Sequence, residues 1–287
     1  MPRLPLNLIP APPGAGSSCV RVAVKKNPCK ACVEACPLQA VTIVSGKVAI
    51  DETQCNQCGR CLYACPTDAL ENIHPVTRHW DDDRLVAPLS LQPACLDELL
   101  LWHTEKGIRA IELDAQQVAW LRAVAELNMV LKQLNQPTWR LAPATPGTVN
   151  TARRQWLPVR DPATRGTVST GRRAFRDAVT FSHRWRILLE TEKCYLCGAC
   201  ARICPEQAIR LHADHLTLDS SRCTGCGQCA VVCFPQAIRS EKQWNNDATQ
   251  RIPVMTSTCT DCGQGFTAWD AQQSICPFCQ QHTYGMR

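Results

Sequence analysis

Residues 194–204 read Cys-Tyr-Leu-Cys-Gly-Ala-Cys-Ala-Arg-Ile-Cys and are followed by Pro205. Thiolates are soft ligands that select iron–sulfur clusters or zinc. Cysteines at 194, 197, 200 and 204, closed by a proline, have the spacing that holds iron–sulfur clusters, in which the fourth cysteine serves the other cluster of a pair. A second run follows at Cys223, Cys226, Cys229 and Cys233. An offset of 168 residues carries Cys29, Cys32, Cys36, Cys55, Cys58, Cys61 and Cys65 onto Cys197, Cys200, Cys204, Cys223, Cys226, Cys229 and Cys233 without a gap. The remaining cysteine of the later copy, Cys194, falls on Lys26. The chain therefore holds two cysteine modules in one register, and the earlier one lacks a ligand.

A third signature closes the chain. Cys259-Thr-Asp-Cys262 and Cys276-Pro-Phe-Cys279 are two CxxC knuckles, the spacing of a zinc ribbon, with Phe266 and Trp269 placed to pack beside the site. Zinc is the expected occupant because the insert between the knuckles is short; iron on the same four thiolates is the competitor. The seven histidines show no HxxxH or HxH pairing. Cys95 opens an apolar helical pattern and reads as a small buried side chain.

The cysteine spacing decides against a disulfide framework. There are 21 cysteines among 287 residues, but they recur three apart in repeated runs, which is metal-ligand spacing. Residues 1–18 are rich in proline and lack the apolar core of a signal peptide. No apolar run approaches the ~18 residues that would span a bilayer. A cytoplasmic location is expected. The side-chain charge of +6 suggests acidic partners. Three or four clusters and a zinc, each with four thiolates, would bring the loaded chain to roughly −2 to −4, so basicity argues little for nucleic acid.

Several elements must position these ligands, giving an α+β chain. Residues 1–18 read as an extended tail. The alternation from Cys19 to Val24 predicts a strand, followed by a helix from about Ala31, a strand at Val41–Val44, a turn at Ser45-Gly46 and a return strand at Lys47–Ile50. This first module occupies 19–73. The second, at 186–240, repeats it with strands at Arg186–Leu189, Ile209–Leu211 and Leu216–Leu218. Each module is too small to bury a useful core, so its metal centres must serve as one.

Residues 85–142 form an insert that reads as a small parallel α/β unit. Strands are expected at Leu85–Leu89, Ile108–Leu113 and Thr138–Leu141. One helix is expected over Ala94–Lys106, ended by Gly107, and another capped by Asp114 with Gln117 completing a capping box. The second helix carries Val118, Leu121, Val124, Leu127 and Leu131 at helical spacing. Residues 143–185 read as an arginine- and proline-rich linker, including a run at Ser169–Phe175 that is faintly similar to a twin-arginine signal. From Thr138 to Leu189 there are ten arginines, no lysine and two aspartates. That excess is expected either to sit solvated beside anionic modules or to dock on an acidic partner. The zinc ribbon occupies 255–284.

On its cysteine runs, each module resembles the bacterial two-cluster ferredoxin family. The resemblance implies two ferredoxin-like (βαβ)2 dicluster modules. It also implies that the first three cysteines of one run pair with the fourth of the other. One 4Fe-4S cluster would then take Cys194, Cys197, Cys200 and Cys233, and its neighbour Cys223, Cys226, Cys229 and Cys204. In the first module Cys55, Cys58, Cys61 and Cys36 complete a set. Cys29, Cys32 and Cys65 are left with Lys26 where a cysteine belongs. Cys19 could loop back to supply the thiolate, the site could hold a 3Fe-4S cluster or a non-protein ligand, or it could be empty. A straight strand over 19–25 would cover roughly 23 Å, which conflicts with Cys19 as ligand. The sequence also departs from the family at Phe234, which stands between Cys233 and Pro235.

The implied function is one-electron transfer through three or four 4Fe-4S clusters, as a subunit or partner of a larger oxidoreductase such as a molybdopterin, hydrogenase or flavoprotein system. The insert is weakly similar to an α/β segment between ferredoxin modules in some multi-cluster proteins. There it carries cysteines where this chain has Leu113-Asp114-Ala115. Two rival functions are a redox-sensing or scaffold protein that binds nucleic acid or protein through the ribbon and linker, and a catalytic oxidoreductase subunit with a pocket in 85–142. No nucleotide loop or acid/base pair supports the last. The oligomeric state is left open.

Overall fold

The computed structural model describes residues 12–25, 27–114, 116–143, 164–246 and 249–280. The chain divides into two compact units, one of residues 1–19 and 30–179, the other of residues 20–29 and 180–287.

In the first unit the early cysteine module runs strand, helix, hairpin, helix, strand. The β-branched run Val41–Val44 pairs antiparallel with Lys47–Ile50. Ser45 and Gly46 turn the hairpin with φ of 51° and 80°, the left-handed pair whose twist matches the flanking strands. Helices Ala31–Glu34 and Arg60–Ala64 flank it. The outer strand pair is Gly14–Ala15 with Leu70–Glu71, so the expected tail ends in a paired strand.

The expected strand over 19–24 is instead a helical turn, Val20–Ala23. Val24 N–H donates to Val20 O at 3.0 Å, and Val22 stands 53% exposed rather than sharing a buried face. The alternation of valines had a second solution because Arg21 turns back on the chain: its Nη1 donates to the carbonyls of Asn27 and Cys29.

The insert shares this first unit. Its sheet has five strands rather than three, in the order Arg140–Pro143, Ala110–Leu113, Arg84–Val86, Arg78–Asp81, Thr164–Gly166. The first three are parallel as expected, and the other two are antiparallel additions. Helix Leu96–Glu105 ends at Gly107, whose φ of 66° lets Ile108 N–H return to Trp102 O. Leu99, Leu100, Leu101 and Trp102 are fully buried with Ile108 and Ile111. The second helix is Val118–Gln133, three residues later than Asp114 predicts. Asp114 Oδ1 is satisfied locally by the Gln116 amide at 3.0 Å, so it shapes a turn ahead of the helix. The buried face is Trp120, Val124, Leu127 and Leu131, while Val118 is half exposed. Beneath it Arg78 and Glu98 form a buried ion pair, with Arg78 over the Trp120 ring.

The stretch read as linker is structured from Thr164 onward. Residues 144–163 lie outside the described residues. Strand Thr164–Gly166 completes the sheet edge, and the arginine run forms helix Gly171–Ala178 with Phe175 buried. Its arginines are engaged within the fold: Arg173 Nη1 donates to Thr67 O at 3.0 Å and the Arg172 amide to Cys65 O at 3.2 Å. An excess of arginine hid a helix whose burial rests on one aromatic side chain.

The second unit repeats the module order. Strand His183–Leu189 pairs antiparallel with Ile238–Asn245. Hairpin Ile209–Leu211/His215–Asp219 gains a third strand, Thr249–Pro253. Ile187, Leu196, Ile209, Leu216, Leu218 and Ile238 make the core, with half-buried cysteines packed against it. Hairpin Met255–Thr258/Gly265–Ala268 then carries the final knuckles. Among the described residues no helix is long and apolar enough to cross a membrane.

Candidate functional site

Cys194 and Cys223 each open a loop that turns twice through left-handed backbone. In the first loop Leu196 and Gly198 hold φ of 52° and 70°; in the second Gly225 and Gly227 hold 66° and 71°. The turns aim amides inward: Leu196 N–H lies 3.4 Å from Cys194 Sγ, and Gly225 N–H 3.4 Å from Cys223 Sγ. Gly198 and Gly227 then cap short helices Ala199–Ile203 and Gln228–Val232, which carry Cys200 and Cys229.

Each fourth cysteine ends its helix in extended backbone and is followed by a common turn. Gln207 and Gln236 are left-handed, and Ala208 and Ala237, both buried, donate their amides back to Cys204 Sγ at 3.3 Å and Cys233 Sγ at 3.2 Å. Such N–H···S bonds favour a thiolate or a metal-bound sulfur over a thiol.

The loops bring the cysteines together in two sets. One apolar cavity is lined by Cys194, Cys197, Cys200 and Cys233 with Leu196, Leu216 and Ile238. A second is lined by Cys204, Cys223, Cys226 and Cys229 with Ile187, Ala208 and Ile209. Each combines three cysteines of one run with the fourth of the other. Without a cation these sites resist ionisation. Burial pushes the Cys194, Cys226 and Cys229 thiols up, and that of Cys200 up to about 11. Iron in the cavity would supply the positive charge that reverses this preference. The donor set, apolar lining and inward amides all fit an iron–sulfur cluster.

Residues 27–69 and residues 186–234 each match a family model described as a 4Fe-4S dicluster domain. The chain carries two 4Fe-4S dicluster domains. No curated protein matches the chain.

In the first dicluster domain, Cys55, Cys58 and Cys61 repeat the loop, with Gln57 and Gly59 at φ of 55° and 72°. The Cys61 thiol is pushed up to about 12, chiefly by burial and then by Cys58, Cys32, Cys55 and Cys36, which places these cysteines around it. Cys65 is buried and accepts the Ala69 amide at 3.2 Å, with Asp68 left-handed as in the later copy.

The run at Cys29 differs. Pro28 stands where Leu196 turns left-handed, and Lys30, at φ −127°, where Gly198 does. Proline cannot adopt positive φ. The Cys29 amide goes to Asn27 Oδ1 at 2.9 Å, and Asn27 is buried. Lys26 lies outside the described residues. Cys19 directly precedes the helical turn Val20–Ala23, its amide bonded to Gly16 O. Cys95 is the residue ahead of helix Leu96–Glu105 and is half buried.

Beyond the two dicluster domains, Cys259, Cys262, Cys276 and Cys279 bring their sulfurs within 4.8 Å of one another. Cys262 and Cys276 are 3.9 Å apart. A tetrahedron with metal–sulfur bonds of about 2.3 Å has edges of about 3.8 Å, so the spacing suits one ion. Amides from Cys276 to Cys259 Sγ at 3.2 Å and from Cys279 to Cys276 Sγ at 3.4 Å complete the knuckles. The Cys276 amide is the main reason the Cys259 thiol falls to about 6, whereas hydrogen bonds from Cys276 and Cys262 push Cys279 up. Only the first knuckle sits on a hairpin; residues 277–280 are helical. The sequence places Trp269 beside the ribbon's ion. Its Nε1 instead donates to the Cys194 carbonyl at 2.7 Å. That contact and the Arg21 clamp on Cys29 have no spacing signature, since neither residue is a ligand.

Proposed function

We propose that this chain is a multi-cluster electron carrier that exchanges single electrons with a partner oxidoreductase. The observation that carries this reading is the pair of cavities, each lined by four cysteines drawn from both runs of the second dicluster domain. When bound, a 4Fe-4S cluster accepts and releases one electron at a time, at a potential set by charge, burial and hydrogen bonds to sulfur.

The chain's residues supply those settings. Leu189, Leu196, Leu211 and Leu216 exclude water around Cys194 and Cys200. The amides of Leu196, Gly225, Ala208 and Ala237 stabilise negative charge on sulfur. Cys197 is exposed, and Phe234, the neighbour of Cys233, is 85% exposed, so this set faces a surface from which an electron can leave.

The ligand sets we assign are Cys194, Cys197, Cys200, Cys233; Cys204, Cys223, Cys226, Cys229; and Cys36, Cys55, Cys58, Cys61. The fourth, assigned from the cysteine spacing alone, is Cys29, Cys32 and Cys65 with Cys19. Zinc occupies the ribbon. The test is iron and acid-labile sulfide per chain, with EPR after dithionite reduction. Reducible 4Fe-4S signals are expected, with about 12 to 16 irons per chain, four for each of three or four clusters. Fewer irons, or none that reduce, would overturn the reading.

A further inference from the structure

The ribbon's hairpin, Met255–Thr258/Gly265–Ala268, is anchored at both ends on the second dicluster domain. At its start Val254, the single residue between strand Thr249–Pro253 and the ribbon hairpin, is buried in that domain's core and bonds its amide to Asp214 O at 2.9 Å. At the other end Trp269 follows strand Gly265–Ala268 directly, packs its ring on the same core and donates Nε1–H to the Cys194 carbonyl at 2.7 Å. An open groove runs beside this contact, with Glu192, Cys194 and Tyr195 on one wall and Trp269, Asp270 and Gln273 on the other.

The hairpin sets where Trp269 begins, since Ala268 just before it pairs with Met255, and the four cysteines would close the loop that follows it. Trp269 lies between the two knuckles, on the loop that joins Cys262 to Cys276. The first part of that loop is the hairpin strand Gly265–Ala268; beyond Ala268 the loop is tied back by Thr260 N–H to Ser274 O at 2.9 Å, Ser257 Oγ–H to Gln273 O at 3.1 Å and Trp269 N–H to Gln273 Oε1 at 3.4 Å. Four thiolates closing on one ion fix both ends of the loop together.

We propose that the four-cysteine ribbon is a metal-dependent cap whose Trp269 seats on Cys194 and tunes the reduction potential of the cluster held by Cys194, Cys197, Cys200 and Cys233. The proposal rests on the assignment of a cluster to those cysteines. The indole N–H points its positive end at the peptide of a ligand cysteine, where it stabilises the more negative, reduced state; the ring keeps water from the same edge. Trp269 is a positioning residue. It touches a ligand's backbone and makes no bond to sulfur.

The test uses the full-length, metal-loaded protein with dithionite as the electron donor and EPR-monitored redox titration. Trp269→Phe keeps the ring and removes the donor. One cluster's midpoint should fall, with iron content and the other midpoints unchanged. Cys262→Ser releases the ribbon ion and should shift the midpoint of that same cluster alone. Unchanged midpoints in the Phe variant would overturn the proposal, and so would a Cys262→Ser protein in which every cluster shifts equally. If the serine variant loses its clusters, the Phe variant decides. Absence of any reducible cluster in the unaltered protein would defeat the electron-carrier assignment instead, so the two failures are distinct.

Discussion

Arg21 Nη1 donates to the carbonyl of Cys29 at 3.0 Å and to that of Asn27 at 2.8 Å. The guanidinium holds a loop that the other three cysteine runs hold with left-handed backbone. Pro28 rules out that backbone at its position and Lys30 takes φ −127°, so the run at Cys29 is anchored by a different device along with its missing cysteine.

The first prediction concerns what replaces the cysteine. With residues 20–23 helical, the chain after Cys19 advances only about 1.5 Å per residue, in place of the ~3.3 Å of a strand. Cys19→Ala should lower iron by about one to four atoms per chain, according to whether a 3Fe-4S cluster or none survives. Lys26→Ala should leave iron unchanged. Full iron in the Cys19 variant would remove Cys19 as a ligand.

The second prediction tests the left-handed positions. At Gly225 a Cβ would fall on the Trp185 ring, at a φ of 66° that already disfavours a side chain. Leu196 occupies the equivalent place in the other loop at φ 52°, so the backbone strain alone is tolerable and the ring clash decides. Gly225→Ala should cost about 1–3 kcal/mol and loosen the Cys223 loop. Iron loss should be confined to the set of Cys204, Cys223, Cys226 and Cys229, read as one missing EPR signal. A variant with all signals and an unshifted melting temperature would show that the Trp185 ring moves aside freely.

The two dicluster domains and their hairpins were legible in the sequence because cysteine spacing and β-branched alternation are local. What was hidden depends on distant partners. Strand Arg78–Asp81 contains two arginine or histidine residues and no run of apolar ones; its strand character comes from edges supplied by Arg84–Val86 and Thr164–Gly166. Helix Gly171–Ala178 reads as a charged linker because it buries only Phe175 and Gly171. Gly171 is needed there: its φ is 95°, and a Cβ would fall on the Asp68 carboxylate. Val20, Val22 and Val24 alternate as a strand would, yet no neighbouring strand pairs with them among the described residues, and Arg21 bends the chain into a turn.

The third prediction concerns the ribbon. One zinc per chain is expected, and Cys276→Ser should abolish it, since the buried Cys276 both supplies a sulfur and sends its amide to Cys259. Zinc retention is expected to weaken on acidification, because protons compete for all four thiolates. Metal analysis after dialysis at pH 7.5 and at pH 5.5 checks this; iron in place of zinc in protein purified from zinc-replete medium would overturn the assignment.

The last prediction comes from the insert. His103 is buried in helix Leu96–Glu105; its Nδ1 accepts the Trp139 indole N–H at 3.1 Å, and Arg109 donates to its carbonyl at 2.7 Å. Burial, reinforced by Arg109, lowers the imidazole to about 4 from its ordinary value of 6.5. The folded protein therefore keeps His103 neutral where the unfolded chain binds a proton. Between pH 6.5 and 4 the unfolded state carries more protons, so stability falls with falling pH across that window and is level above it. Moving from pH 7.5 to 5.5 should cost about 1 kcal/mol from this residue. His103→Asn puts a non-titrating acceptor near Nδ1. Its melting temperature should drop less than the unaltered protein's over the same pH change, the remaining titrations being common to both. Equal drops would mean that His103 titrates in the folded protein as it does in the unfolded chain.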